Sequence, residues 1–276
     1  MLYKVLIIIL SILLLNFFMK NSYNFIGLMD HFTNNYPKIL YIVGVENSYK
    51  NIELIRKNYN SLRYFNEIQW CFLHFDGEND LWKEELWYNK ISNKYKFIGK
   101  GCKVAQWGKI HPVIAQEYDY LWFSDGDIGL ERFKWNIYRQ MLIRYRPLLS
   151  QPAILPIYPG RRASDHRHLN WKKNMKIGKI HFVEVMSPFI STKIWPLIYE
   201  KIQLTDKRSI WDTEKFFNKL VDELHSIKYL NYLSPVIHHN FKNLQIDSSL
   251  ECQRKFFYSP EPKNYYSKIS YIAKKI

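Results

Sequence analysis

Tyr118-Asp119-Tyr120-Leu121-Trp122-Phe123-Ser124-Asp125-Gly126-Asp127-Ile128-Gly129 is the stretch on which the fold turns. Its run of aromatic and branched residues reads as a buried strand, and the run ends in two carboxylates spaced i, i+2 about a glycine. In a regular strand, alternation sends such a pair to opposite faces. Glycine permits a turn in which both converge on one cation. The aspartates thus stand at a strand's C-terminal edge, where ligands bind in an open α/β sheet. A hard divalent ion such as Mg2+ or Mn2+, held by oxygen donors, would bridge them to a diphosphate. The plainer alternative is a polar loop closing a strand, because Asp-X-Asp is a common tripeptide. The strongly apolar strand before it, in mid-chain, adds weight to the ion.

Upstream, Lys38 to Val45 is a continuous apolar strand, and Asn51 to Leu62 carries apolar residues at helical spacing. Ile68 to Phe75 is the next strand and ends at Asp76-Gly77, and Tyr95 to Ile98 is a shorter third. Val104 to Glu117 suits a helix despite Gly108 and Pro112. Alternating strands and helices with short connections predict an α/β fold with a mostly parallel, doubly wound sheet. Downstream, Trp135 to Tyr145 reads as a helix stopped by Pro147. Gln151 to Pro156 is too proline-rich for a central strand and is expected at an edge or across a cleft. The basic tract from Arg161 to Lys179 reads as a mobile loop, and His181 to Met186 as a strand closed by Ser187-Pro188. Two helices follow, Lys193 to Ile202 and Trp211 to Leu224. A last strand, Tyr229 to Ile237, delivers His238-His239-Asn240, and the tail beyond Gln245 reads as a weakly structured wrap.

With 276 residues, 47% of them apolar, the chain can bury one large α/β domain or two small ones, and disorder is not expected. Forty Lys and Arg against 25 Asp and Glu give a formal +15, which draws in anionic partners such as phosphorylated sugar donors, anionic lipid or nucleic acid. Apart from Arg161, Arg162, Arg167, Lys172, Lys173 and Lys176 the basic residues are scattered, so no nucleic-acid stripe forms and no nucleic-acid partner is expected. A general bias toward Lys and Asn explains the charge equally well. Val5 to Met19 is apolar except at Ser11 and Asn16, with Lys4 before it and Lys20 after it. As a helix it spans roughly 22 Å, short of the hydrocarbon core unless the bilayer thins or flanking aromatics join it. No small-residue cleavage pattern follows, so residues 1–20 read as an uncleaved signal anchor. The short tail before it suggests a single-pass type II protein with its bulk exported. The expected layout is then a stem over 21–37, a catalytic domain over 38–245 and a C-terminal tail over 246–276. Cys71, Cys102 and Cys252 lack CxxC spacing, which rules out a cysteine zinc cluster and leaves room for one disulfide at most.

Several short motifs in one order add up to a resemblance from about Lys38 to His239. They are His74-Phe75-Asp76-Gly77 with Asp80 and Trp82, then Trp107 with Lys109-Ile110-His111-Pro112, then Asp125-Gly126-Asp127-Ile128-Gly129. Ser150-Gln151-Pro152-Ala153, Phe182-Val183-Glu184 with Met186 and Pro188, Trp211-Asp212 and His238 complete the set. The chain resembles glycosyltransferases of the GT-A type and, more narrowly, the domain-of-unknown-function family 707. Members of that family usually carry an amino-terminal anchor and are regarded as Golgi transferases. The family pattern has an acidic residue where Gly126 stands, a glycine where Val185 stands, and His-Gln-Gly in place of His238-His239-Asn240. The resemblance implies a GT-A-like (nucleotide-diphospho-sugar transferase) fold, a nucleotide-sugar donor, a glycan or glycoprotein acceptor, and a lumenal catalytic domain in the Golgi or ER.

By the same resemblance, Asp125 and Asp127 hold Mn2+ or Mg2+ against the leaving diphosphate. One of them binds through water or reaches the ribose, so Asp125 also counts as a cofactor-binding residue. His238 takes the part of a third ligand from the C-terminal half, and an imidazole favours Mn2+; the plainer reading is a pair of loop histidines. Asp76 is placed for the base or ribose of the nucleotide, although Asp-Gly is also a common turn. Lys109 and His111 are placed for the phosphates, and a solvated helix face explains them nearly as well. Glu184 and Asp212 are the candidate bases for the acceptor proton. Asp212 also suits an N-cap, whereas Glu184 among apolar neighbours must face a cleft or find a buried partner. A retaining enzyme would need neither as a base. Two rivals stand beside the transferase: a non-catalytic carbohydrate-binding or scaffold protein on the same fold, and a phosphoryl-transfer enzyme with Asp125 as nucleophile. The second places its Asp-X-Asp on the first strand, whereas at least three strands precede it here.

Overall fold

Each long apolar run of the middle chain becomes a strand, and each stretch of helical spacing packs against those strands. The computed structural model describes residues 36–157, 169–204 and 210–241, with the backbone alone at 210–212. From Pro37 on, these residues belong to one unit. The segment Val5–Met19, the stem up to residue 35, the part of the basic tract before residue 169 and the tail beyond Phe241 lie outside them. Among the described residues no helix is long and apolar enough to cross a membrane.

Strand β1 (Ile39–Val45) lies between β2 (Ile68–His74) and β4 (Tyr120–Ser124), parallel to both, and β3 (Lys96–Ile98) adds in parallel to β2. Helix α1 (Tyr49–Leu62) makes the crossover from β1 to β2, and Ser48 caps it by accepting the Asn51 amide at 3.3 Å. Two short helices, α2 (Asp80–Lys83) and α3 (Leu86–Asn89), lead to β3, and α4 (Lys103–Trp107) and α5 (Pro112–Ala115) lead to β4. The rest follows as β5 (Ile128–Gly129), α6 (Trp135–Tyr145), β6 (Leu149–Pro156), β7 (Ile177–Ile180), β8 (Phe189–Ser191), α7 (Trp195–Leu204), α8 (Ile210–Glu223) and β9 (Lys228–His238). The strand order is β3-β2-β1-β4-β8-β6-β9-β5, with β7 on β9.

Alternation along β4 builds the core on both faces of the sheet. Trp122 packs on Tyr41 and stacks on Phe189, at centroid distances of 4.2 and 4.6 Å, while Phe123 points the other way onto Trp107 and Trp195, at 4.1 and 5.2 Å. Rings of this size contribute most of a core's apolar burial.

Three expectations need correction. The sheet is mixed rather than mostly parallel: β8 runs antiparallel between β4 and β6, and β5 and β7 run antiparallel to β9. Thr192, just after β8, donates its amide to the Asp119 carbonyl and its hydroxyl to the Tyr118 carbonyl, so the end of β8 lies beside the start of β4. Val104 to Glu117 is not one helix. Pro112 holds His111 in an extended conformation and starts α5 afresh. Gln151 to Pro156 keeps the one-sided pairing expected of an edge: β8 pairs only with Leu149 and Ser150, and beyond them β6 pairs with β9, with a single bridge from Ile154 to Asn170 on its other flank. Its prolines are tolerated because the ladder breaks there: Pro152 pairs Asn231 and Ile154 pairs Val236, so β9 spends five steps against two on β6. The Asn231 side chain accepts the amides of Leu233 and Ser234, and the Ser234 hydroxyl bonds Lys134, which pins the excursion. Finally, His181 to Met186 is irregular, and the strands fall on either side of it, with β7 inside the tract read as a loop. The amides of this stretch go to side chains instead of a ladder: Val183 to Asn218, Glu184 to Gln151 and Val185 to Glu214, all within 2.9 Å.

Candidate active site

Each residue of the turn after β4 is fixed by a different part of the chain. The Asp125 amide donates to Met186 O at 3.0 Å, Asn51 Nδ2 donates to Gly126 O at 2.7 Å, and the His239 amide donates to Asp127 O at 2.9 Å. Gly126 has no room for a side chain, since a Cβ there would run into the Gly44 carbonyl and stand 2.8 Å from Asn51 Nδ2. A larger residue at this position would force the Gly44 backbone or Asn51 to shift. Two asparagines of α1, seven residues apart and so on one helix face, hold the turn. Asn51 takes Gly126, and Asn58 donates to Ile128 O and accepts from Leu130 N, at 2.8 and 2.9 Å.

Pairing of β5 with the end of β9 sets Ile128 opposite His238. This brings His238 Nε2 to 3.1 Å from Asp127 Oδ2, an oxygen that also accepts the Phe241 amide at 3.2 Å. Burial opposes the Asp127 charge, but these two partners outweigh it and hold the carboxyl below its usual range. Asp125 is shifted the other way, chiefly by burial, with the Asp127 charge adding and the Lys103 ammonium opposing. Lys103, the first residue of α4, places Nζ 2.5 Å from Asp125 Oδ1. Beside the pair, His239 Nε2 meets Glu131 Oε1 at 2.9 Å.

Across from the aspartates, the stretch 183–185 is hung on α8. Asn218 bonds both the amide and the carbonyl of Val183, and Glu214, one turn earlier, takes the Val185 amide. Glu184 lies between these two anchors, its amide on the Gln151 side chain. Burial pushes Glu214 up to about 7, against the Val185 N–H and with the Glu184 charge adding, and the Asp125 and Lys103 charges act on it too. These carboxyls share one electrostatic neighbourhood with Lys103.

The remaining expected residues are placed as follows. Asp76 accepts the amides of Asn47 and Glu78, tying the loop after β1 to the turn after β2. Lys109 lies with Nζ 3.4 Å from Gly99 O, and burial draws its pKa down. His111 caps α5 by accepting the Val113 amide and lies edge-on to Tyr199. The backbone of Asp212 lies in the first turn of α8; its side chain is outside the described atoms. Lys103, Glu214, Asn51 and Asn58 were not singled out from the sequence. Glu214 had one sign, its i, i+4 spacing with Asn218 on the helix that Asp212 opens. Lys103 had another, the Gly99-Lys100-Gly101 run just before it.

Among the described residues no group of three or more His, Cys, Asp or Glu side chains is arranged to hold a metal ion. Two donors nevertheless fit one. Adjacent corners of an octahedron with bonds of about 2.1 Å are about 3.0 Å apart, and Asp127 Oδ2 and His238 Nε2 are separated by 3.1 Å. A mixed carboxylate and imidazole set suits Mn2+. A third corner from Asp125 would require exchange of the Lys103 ammonium that lies on its Oδ1.

No curated protein matches the chain. Among solved structures it is similar to GalNAc-T7 with UDP, GalNAc and Mn2+, at 13% identity and a TM-score of 0.51, over 74% of this chain and 44% of that one. It is also similar to S. aureus TarS 1-349 in complex with UDP, at 11% identity and a TM-score of 0.48, over 72% of this chain and 60% of that one. The chain thus spans less than two thirds of either protein, and the first likeness is one of fold: an α/β fold with a mixed sheet of the kind found in glycosyltransferases. The model of the family described as "Protein of unknown function (DUF707)" matches residues 24–255, and over that length the chain belongs to this family.

Proposed function

We propose that the protein is a metal-dependent glycosyltransferase that moves a sugar from a nucleotide-sugar donor to a glycan or protein acceptor. The observation that carries this reading is the 3.1 Å approach of His238 Nε2 to Asp127 Oδ2 at the C-terminal end of β4, with Asp125 two residues away. The resemblance to GalNAc-T7, whose structure contains UDP, GalNAc and Mn2+, supports it at the level of fold.

Asp127 and His238 would hold the ion, with Mn2+ favoured over Mg2+ because one donor is an imidazole. When bound, such an ion supplies positive charge against the diphosphate that leaves with the nucleotide. The chain's own residues do the rest. The Phe241 amide and the α1 asparagines keep the aspartate turn in one shape, so little reorganisation is needed when the donor arrives. Glu184, held between the Val183 and Val185 anchors, would be the candidate base for the acceptor proton, with Asp212 and Glu214 as further carboxyls. Asp76 orders the loops after β1 and β2, where the nucleoside would lie, and Lys109 adds positive charge beside them. The segment Val5–Met19 would anchor this domain as a single-pass type II protein facing the Golgi or ER lumen.

Calorimetric titration of UDP and GDP with and without Mn2+, followed by hydrolysis of a panel of UDP- and GDP-sugars, tests the proposal. Nucleotide binding should require Mn2+. Asp127→Ala should reduce nucleotide release by 100-fold or more, the order of losing a principal stabiliser of developing charge. Glycan binding by a protein with no affinity for either nucleotide would favour the scaffold reading instead.

A further inference from the structure

We infer that Lys103 is an exchangeable counter-cation of this site: its ammonium holds Asp125 in the empty protein and transfers to the donor's diphosphate when the nucleotide enters. The inference rests on the transferase reading above and assigns a part to a residue outside the Asp-X-Asp turn.

The backbone beneath Lys103 is fixed. Gly99 and Gly101, in the loop before it, donate their amides to the carbonyls of His74 and Phe75 at the end of β2, at 3.1 and 3.2 Å. The side chain is the part with freedom, four methylenes bearing a compact charge with three rotatable donors. Its Nζ lies 2.5 Å from Asp125 Oδ1, with the two side chains 24% and 21% exposed, so the pair is neither sealed in the core nor fully in water. A pair at that depth is strong enough to order the empty site and open enough to be exchanged.

The balance of charge gives the exchange its direction. Lys103 acts on Asp125, Asp127 and Glu214 together, and His238 also acts on both aspartates. A diphosphate cannot approach such a group of carboxylates without positive charge between them. A divalent ion on Asp127 and His238 supplies part of it. That ion also competes with the ammonium for Asp125, which frees Lys103 to meet phosphate oxygens from the β2 side. While the site is empty, therefore, Lys103 opposes the metal, and once the metal is bound it favours the nucleotide.

The two effects have opposite signs, and a merely structural lysine would not produce them. Lys103→Met keeps the length and removes the charge. Binding of Mn2+ alone, followed by the electron paramagnetic resonance of the free ion, should become several-fold tighter. Binding of UDP at saturating Mn2+, followed by calorimetry, should become about tenfold weaker. Lys103→Arg, which keeps the charge, should restore UDP affinity to within a few-fold of wild type. Loss of both affinities in Lys103→Met protein whose thermal melt matches wild type, or a change in neither, overturns the assignment, and so does failure of a folded Lys103→Arg protein to bind UDP. Wild-type protein that binds Mn2+ but neither UDP nor GDP overturns the transferase reading and this assignment with it. Wild-type protein that binds both, with Lys103→Met indistinguishable from it, overturns this assignment alone.

Discussion

Glu214 is 1% exposed, with one oxygen on the Val185 amide and a pKa that burial pushes up to about 7. An acid whose native pKa lies above its ordinary 4.5 holds its proton more tightly folded than unfolded. Its contribution to stability is therefore greatest at low pH, falls as pH rises from about 4.5 to about 7, and stays low above that. At about 1.4 kcal/mol per pKa unit the loss reaches about 3 kcal/mol. Glu214→Gln keeps an oxygen for the Val185 amide and removes the titration. It should match the wild type at pH 5 and exceed it by up to about 3 kcal/mol at pH 8, as read from urea unfolding at each pH. A constant difference between the two proteins across that range would show that Glu214 does not titrate in the window. Sequence reasoning reached Asp125, Asp127 and His238 because they stand at or close to the ends of β4 and β9, and strand ends can be read from apolar runs. Glu214 and Lys103 could not be reached that way, since each owes its place to a partner more than 20 residues distant, Val185 in one case and Asp125 in the other.

Helix α1 shows how an element serves two purposes at once. Ile52, Ile55 and Leu62 bury its apolar face, while Asn51 and Asn58, buried on the same helix, bond the backbone of the aspartate turn. The sequence revealed the helix through its spacing but gave no sign that two asparagines in it were clamps. Asn58→Leu should cost about 2 kcal/mol or more, because it strips the partners from Ile128 O and Leu130 N in a buried place. The shift of the urea midpoint measures it, and weaker Mn2+ binding should accompany it. Wild-type stability would mean that water reaches both backbone groups. The same logic explains the misread stretch 181–186. Its hydrophobic pattern suits a strand, yet its amides are spoken for by Asn218, Gln151 and Glu214, none of them local. Strands β1, β2 and β4 were legible because a ladder of parallel neighbours needs only long apolar runs. The three-residue β8 offers too little pattern to announce itself.

In the molecule as a whole, the parallel half, β3-β2-β1-β4, delivers the aspartates, and β9 crosses from the other half to deliver the histidine. The order of these parts could be read from the sequence; the reversal of β8, β5 and β7 could not, because direction is decided by where a short segment finds hydrogen bonds. The excursion of β9 at Tyr232 to Pro235 has one further consequence. Beside β6 the strand carries three surplus residues, five steps against two. Three is odd, and side chains in a strand alternate. The excursion therefore inverts the parity of everything downstream, and which of two consecutive histidines looks at Asp127 is settled by arithmetic several residues earlier. Removing Leu233 alone, if the Asn231 and Ser234 contacts persist, should hand the post to His239 or leave it empty. A loss of Mn2+ affinity, with the thermal melt little changed, would reveal a protein that miscounts without coming apart.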